Sequence, residues 1–192
     1  AFLVGLGLAR SLAAASEIPL HEISHQENHL EAGLWSAQGP DADRFLLLHA
    51  SGGTTDLLAV KKRADGNYEL TQAGGSKDLH AGQFIDRVGV ALGLQFPAGP
   101  ALERLAATAD DCIEVPVAVR QGDVSLSGPA TAALRKLEAG ADPAALAAGV
   151  QYALAETFVR MIRNVAAQKE IFDVLLVGGV ASNSYIRSHL IE

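Results

Sequence analysis

The chain reads as an α/β protein on a mixed sheet. Two observations predict this. Apolar runs at Phe45–Leu48, Leu57–Val60 and Tyr68–Gln72, separated by turn residues, spell an antiparallel meander. Further along, Asp173–Val177 followed by Gly178-Gly179 and a helical pattern adds a strand-turn-helix unit of another type. At 192 residues, 49% hydrophobic and 19% charged, the sequence is globular and long enough to bury a core.

Taken in order, Gly5–Ala15 is Ala/Leu-rich and helical in character, with no capping residue ahead of it, and reads as an interrupted start. Glu17-Ile18-Pro19-Leu20 predicts a turn and a short strand, and Ser24–Trp35 a helix. Gly39-Pro40-Asp41 is the clearest linker before the meander. Asp65-Gly66-Asn67 turns the chain into the third strand. Ala81–Leu92 places Phe84, Ile85, Val88 and Leu92 at helical spacing. Pro97-Ala98-Gly99-Pro100 breaks that helix, and Pro100 suits the first turn of another through Ala107. The longest helical pattern opens at Asp142-Pro143, an Asp N-cap with Pro at the first position, and runs to Gln168. The closing helix begins at Ser182, and no internal repeat is present.

Charge and composition exclude several functions. A net charge of −7 with only 15 Lys and Arg excludes unaided binding to nucleic acid, so such a role requires a helper or a local basic face. The single Cys112 excludes a disulfide framework and suits a reducing compartment. No segment has the apolar length of a membrane span or the pattern of a signal peptide, and a cytoplasmic location is expected.

Two patterns carry chemistry. Ser51-Gly52-Gly53-Thr54-Thr55-Asp56 joins two apolar runs; a Gly-Gly pair followed by hydroxyls exposes successive backbone N–H groups as an anion nest, and it also serves as a plain hairpin turn. His21-Glu22-Ile23-Ser24-His25 spells the zinc-protease pattern H-E-x-x-H. Against it, Ser24-His25-Gln26-Glu27 is a capping box that starts the helix at His25 and leaves His21 outside. On an extended segment, residues four apart are separated by about 13 Å, too far for one metal. His25 and His29 then lie at i and i+4 of one helix and form the chelating pair, or else a solvated pair on its surface.

Six segments, in order, resemble the TsaD family, also called Gcp or glycoprotease, whose archaeal and eukaryotic members belong to the KEOPS complex. They are His25-Gln26-Glu27-Asn28-His29-Leu30, Ser51-Gly52-Gly53-Thr54-Thr55-Asp56-Leu57, Ala81-Gly82-Gln83-Phe84-Ile85-Asp86-Arg87, Pro97-Ala98-Gly99-Pro100-Ala101-Leu102-Glu103, Ser125-Leu126-Ser127-Gly128 and Gly178-Gly179-Val180-Ala181-Ser182-Asn183-Ser184. The resemblance implies an RNase H-like lobe of the ASKHA superfamily (actin, sugar kinases, Hsp70). Residues 1–40 then end a first lobe and carry the histidine helix, and residues 41–192 form the second. It further implies transfer of a threonylcarbamoyl group from its adenylate to a tRNA adenosine beside the anticodon. The partners implied are tRNA with helper proteins, and a homodimer or a heteromer with another ASKHA protein.

By the same resemblance, His25 and His29 bind a divalent metal, iron or zinc, and Ser51, Gly52, Gly53 and Thr54 form the phosphate-facing loop. Asp86 and Gly99 hold the ribose of an adenine nucleotide or adenylate, and Asn183 lies beside adenine and ribose. No general base is assigned. The sequence departs from the family at Thr54 (His), Asn28 (Gly), Gln83 (Glu) and Pro129-Ala130 (Leu-Lys). The family's first phosphate loop is expected upstream of Ala1 and its metal-ligating Asp downstream of Glu192, leaving this chain two protein ligands and the third outside it. The rival readings are a non-catalytic nucleotide-binding or assembly paralog, and the older metalloendopeptidase label.

Overall fold

Phe45–Ala50 is buried without interruption, the signature of a strand covered on both faces: this is β1 (Arg44–Ala50). The structure, a computed structural model, describes residues 2–191. Around β1 stand β2 (Thr55–Lys62), β3 (Tyr68–Ser76), β4 (Val119–Arg120), β5 (Asp123–Val124) and β6 (Val174–Val177), in the sheet order β4-β5-β3-β2-β1-β6. β1 pairs antiparallel with β2, and β2 with β3; β6 lies parallel to β1 and β5 parallel to β3. The sheet is mixed, as expected.

Side chains alternate along β1 and so divide it between two layers. Leu46, Leu48 and Ala50 enter a core shared with α3 (Ala81–Ala91), α4 (Gly99–Ala106), α5 (Ser127–Glu138), α6 (Pro143–Lys169) and α7 (Ser184–Ile191). Phe45 and Leu47 face the other way, against Leu30 of α2 (His25–Ala37) and Leu175 and Val177 of β6. The long α6 begins as anticipated: Pro143 takes the first turn and Ala145 N–H donates to Asp142 Oδ2 at 2.8 Å.

The remaining helix, α1 (Phe2–Ala15), buries only Ala13 among its described side chains. Three expectations change, and one helix was not anticipated. The chain from Ile18 to Ser24 forms no strand, because Pro19 lacks an N–H and no strand lies alongside to pair; Ile18 is 60% exposed. The third strand runs on to Ser76, past Gln72. A helix, α5, rises from Ser127-Gly128-Pro129, where the proline sits in a first turn that tolerates it. The last helix starts at Ser184 rather than Ser182, after a 3-10 turn at Gly179–Ser182. Among the described residues, no helix is long and apolar enough to cross a membrane.

Candidate nucleotide and metal site

Because β1 and β6 are parallel neighbours, their carboxyl ends open side by side, and the segments leaving them, Ser51–Thr54 and Gly178–Asn183, frame one crevice. A cavity of about 270 Å³ lies there, lined by Gly52, Gly82, Asp86, Gly99, Glu103 and Asn183 among others. Four predicted residues, Gly52, Asp86, Gly99 and Asn183, therefore converge from four segments. Ser51, Gly53 and Thr54 lie in the same loop but not on the cavity wall.

The loop is held against the start of α3. A Cβ at Gly82 would stand 2.6 Å from Gly52 Cα, so only glycine permits this approach. Gly82 N–H donates to Ser51 O at 3.0 Å, and Ala81 N–H donates to the buried Thr55 Oγ1 at 2.8 Å. Within the turn, Gly53 and Thr54 N–H both donate to Ser51 Oγ, at 3.3 and 3.0 Å. The two N–H groups converge on one point, and there the loop's own hydroxyl accepts from both.

Half-buried Asp86 accepts from Ala98 N–H through Oδ1 at 2.7 Å, tying α3 to the turn that carries Gly99. No atom lies within 4 Å of a Cβ built on Gly52, Gly53 or Gly99, so these glycines border open space. Asn183 is buried and has a capping role: its Oδ1 accepts from Ile186 N–H at 2.9 Å, while Nδ2 reaches Gln151 Oε1 at 3.5 Å. Gln83, the departure from the family's Glu, keeps a capping task; its Oε1 accepts from His80 N–H at 3.1 Å. Glu103 was given no role by sequence reasoning, although it closes one of the quoted motifs. Its Oε1 accepts from both the backbone N–H (2.8 Å) and the hydroxyl of Ser184, fixing the start of α7 at the cavity rim. A larger depression of about 690 Å³ adjoins the cavity at Glu103, and Asp110 and Asp111 on its wall make it unsuited to phosphate.

The histidine helix starts where the capping box predicts. Glu27 N–H donates to Ser24 Oγ at 3.2 Å and Ser24 N–H to Glu27 Oε2 at 2.6 Å. His21 stays ahead of α2, so the zinc-protease pattern is not assembled on one helix. His25 and His29 meet with ring centroids 4.6 Å apart. A third imidazole joins them: His49 of β1 lies 4.0 Å from His29 and 5.5 Å from His25, centroid to centroid. One nitrogen of each ring falls within 4.8 Å of the others. Gly33 makes this possible, since a Cβ there would stand 2.6 Å from Val177 Cγ1 and hold α2 off β6. A third imidazole thus stands beside the two that the sequence singled out. The signal for His49 was a polar residue ending the run Leu46-Leu47-Leu48, and its nearness to His25 and His29 shows only once β1 is placed beneath α2.

Burial, then the neighbouring His29 and His25, push the His49 imidazole down to about 4 against the opposing pull of Asp56. His29 is lowered for the same two reasons, burial and then His25. Three imidazoles with nitrogens this close together suit a cation. Ser182 borders both the nucleotide-side cavity and a depression of about 300 Å³ against His29 and Gly33, so the Gly178–Ser182 segment separates the two sites.

A mixed sheet with helices on both faces and a cavity at its parallel strand ends defines an ASKHA-type lobe. The fold is similar to full-length HypF, solved in a phosphate- and nucleotide-bound form, with TM-score 0.66 and 13% identity over 91% of this chain and 38% of that one. The TsaD family, described as tRNA N6-adenosine threonylcarbamoyltransferase, matches residues 1–192, and the chain belongs to it. It is 39% identical over 182 residues to the tRNA N6-adenosine threonylcarbamoyltransferase of Methanopyrus kandleri, covering 94% of this chain and 51% of that protein. It is 38% identical over 195 residues to the protein of the same name from Thermus thermophilus, covering 100% of this chain and 58% of the relative. The chain spans about half the length of these curated relatives.

Proposed function

We propose that the full protein transfers a threonylcarbamoyl group from its adenylate to a tRNA adenosine, and that this lobe holds the nucleotide part and a divalent metal. One observation carries the reading: Gly52, Asp86, Gly99 and Asn183 converge on a single cavity in a chain of the TsaD family. Asp86 accepts ribose hydroxyls while keeping Ala98 N–H on Oδ1. Gly52 and Gly99 let the ligand approach the backbone where a Cβ would intrude. Asn183, held by its capping bond, presents its amide to the nucleoside. Rotation of the Ser51 hydroxyl releases Gly53 and Thr54 N–H toward the phosphate.

His25 and His29 hold the metal, of the iron or zinc class. Their imidazole nitrogens and the orphaned nitrogens of His49 beside them fit such an ion. A divalent metal held by these residues would supply Lewis-acid polarisation of the threonylcarbamoyl carbonyl. The chain's residues supply orientation, leaving the tRNA amine as nucleophile. With a net charge of −7, tRNA is engaged together with helper proteins or another ASKHA subunit. We read residues 1–40 as the end of one lobe and 41–192 as the second, in a cytoplasmic enzyme. The nearly unburied α1 supports a separate first segment, whereas α2 packs through Leu30 against β1 and β6 and brings its histidines to the second lobe.

The full gene product, incubated with threonylcarbamoyl-adenylate, tRNA and helper proteins, is expected to form threonylcarbamoyladenosine detectable by mass spectrometry of the tRNA. Asp86→Ala lowers its yield at least ~10-fold, as loss of a charged hydrogen bond does. Absence of product from the wild type contradicts transfer and favours a non-catalytic nucleotide-binding paralog. The specific observation on that side is the Ser51 hydroxyl lodged in the nest.

A further inference from the structure

His49 stands on the face of β1 that meets α2, in line with apolar Phe45 and Leu47. It is 0% exposed, yet neither ring nitrogen has a hydrogen-bond partner among the described residues. A neutral imidazole carries one donor and one acceptor, and leaving both unmade in a core is costly. Leu or Phe would fill the same place at no such cost, so packing does not explain a histidine here. What distinguishes the position is its company. His29 and His25 bring ring nitrogens within 4.8 Å of it, and Asp56, its cross-strand partner in β2, adds a negative charge nearby.

We infer that His49 is a third protein ligand, so that this chain supplies three imidazoles to one borderline divalent cation such as Zn²⁺, Co²⁺ or Ni²⁺. The inference rests on the metal reading above and adds the third ligand and the cation class. Nitrogens sharing a metal at about 2.1 Å lie roughly 3.4 Å apart in tetrahedral geometry. A side-chain rotation of exposed His25 and half-buried His29 toward His49 closes the present spacing. A ligand set rich in imidazole suits borderline cations, whereas Mg²⁺ demands an octahedron of oxygens. The depression beside His29 extends along Gly178–Ser182, whose Ser182 also borders the nucleotide-side cavity.

The test titrates Co²⁺ into metal-free full gene product and follows visible d–d absorption, with Zn²⁺ affinity from competition against a chromophoric chelator. His49→Leu is expected to weaken Zn²⁺ binding at least ~100-fold, more than outer-shell changes do, while the metal-free variant stays folded. His25→Ala/His29→Ala abolishes binding, and millimolar Mg²⁺ does not displace Co²⁺. His49→Leu within threefold of wild type overturns the inference and leaves the two-histidine reading standing. Wild-type affinity in His25→Ala/His29→Ala as well overturns both. Displacement of Co²⁺ by Mg²⁺ overturns the cation class. X-ray absorption on the wild-type Zn²⁺ form decides without any variant: three imidazoles support the inference and two defeat it.

Discussion

Single carboxylates do different work on the two sides of α3. Asp86 faces the cavity, whereas Asp78 ties the chain before α5. Ser125 Oγ–H, Ser127 Oγ–H, Leu126 N–H and Leu79 N–H all donate to Asp78, the last two at 2.9 and 2.6 Å. Burial alone would raise the Asp78 carboxyl; these donors outweigh it and hold the group well below the usual carboxylate range. A carboxyl lowered in the fold contributes stability in full above its unfolded value, near pH 4, and loses it as the pH falls toward the folded value. Asp78→Ala is therefore expected to lower urea-unfolding stability by about 1–2 kcal/mol at pH 7, discounted for the residue's exposure. That gap narrows below pH 4. An equal loss at pH 3 and pH 7 would contradict the assignment.

At the scale of elements, the site depends on how closely α2 approaches β6 and how α3 meets the Ser51 loop. Gly33→Val places branched carbon where Val177 Cγ1 and Leu175 Cδ2 already stand, costing about 1–3 kcal/mol by overpacking. It also draws His29 away from His49, so Co²⁺ affinity is expected to fall with stability. Asp142→Ala provides the contrast, since it removes the N-cap of α6 and costs about 1 kcal/mol. Chemical denaturation with Co²⁺ titration separates the two: Asp142→Ala should keep wild-type metal affinity. If Gly33→Val kept it too, close packing of α2 would not be what assembles the cluster.

Across the whole molecule, what could be read in advance was what local chemistry encodes. The meander declared itself through apolar runs and the Asp65-Gly66-Asn67 turn, and α6 through its Asp-Pro start. The box of Ser24 and Glu27 set the boundary of α2 and so separated His21 from His25. The two-residue strands β4 and β5 left no pattern, because their pairing comes from the chain crossing beside β3. His49 became a neighbour of His29 only through the β1–β6 pairing and the glycine under α2, and Glu103 acquired its role only when α7 reached it. Long-range placement, rather than residue type, was the missing information.

The nucleotide site proposed at the carboxyl ends of β1 and β6 is tested by calorimetric titration of the full gene product with a non-hydrolysable ATP analogue. Wild type is expected to bind, Asp86→Ala to bind roughly 10–100-fold more weakly, and Asp86→Asn, which keeps an acceptor for Ala98 N–H, to fall between them. Equal affinity in wild type and Asp86→Ala, or no binding by the wild type, would contradict the claim.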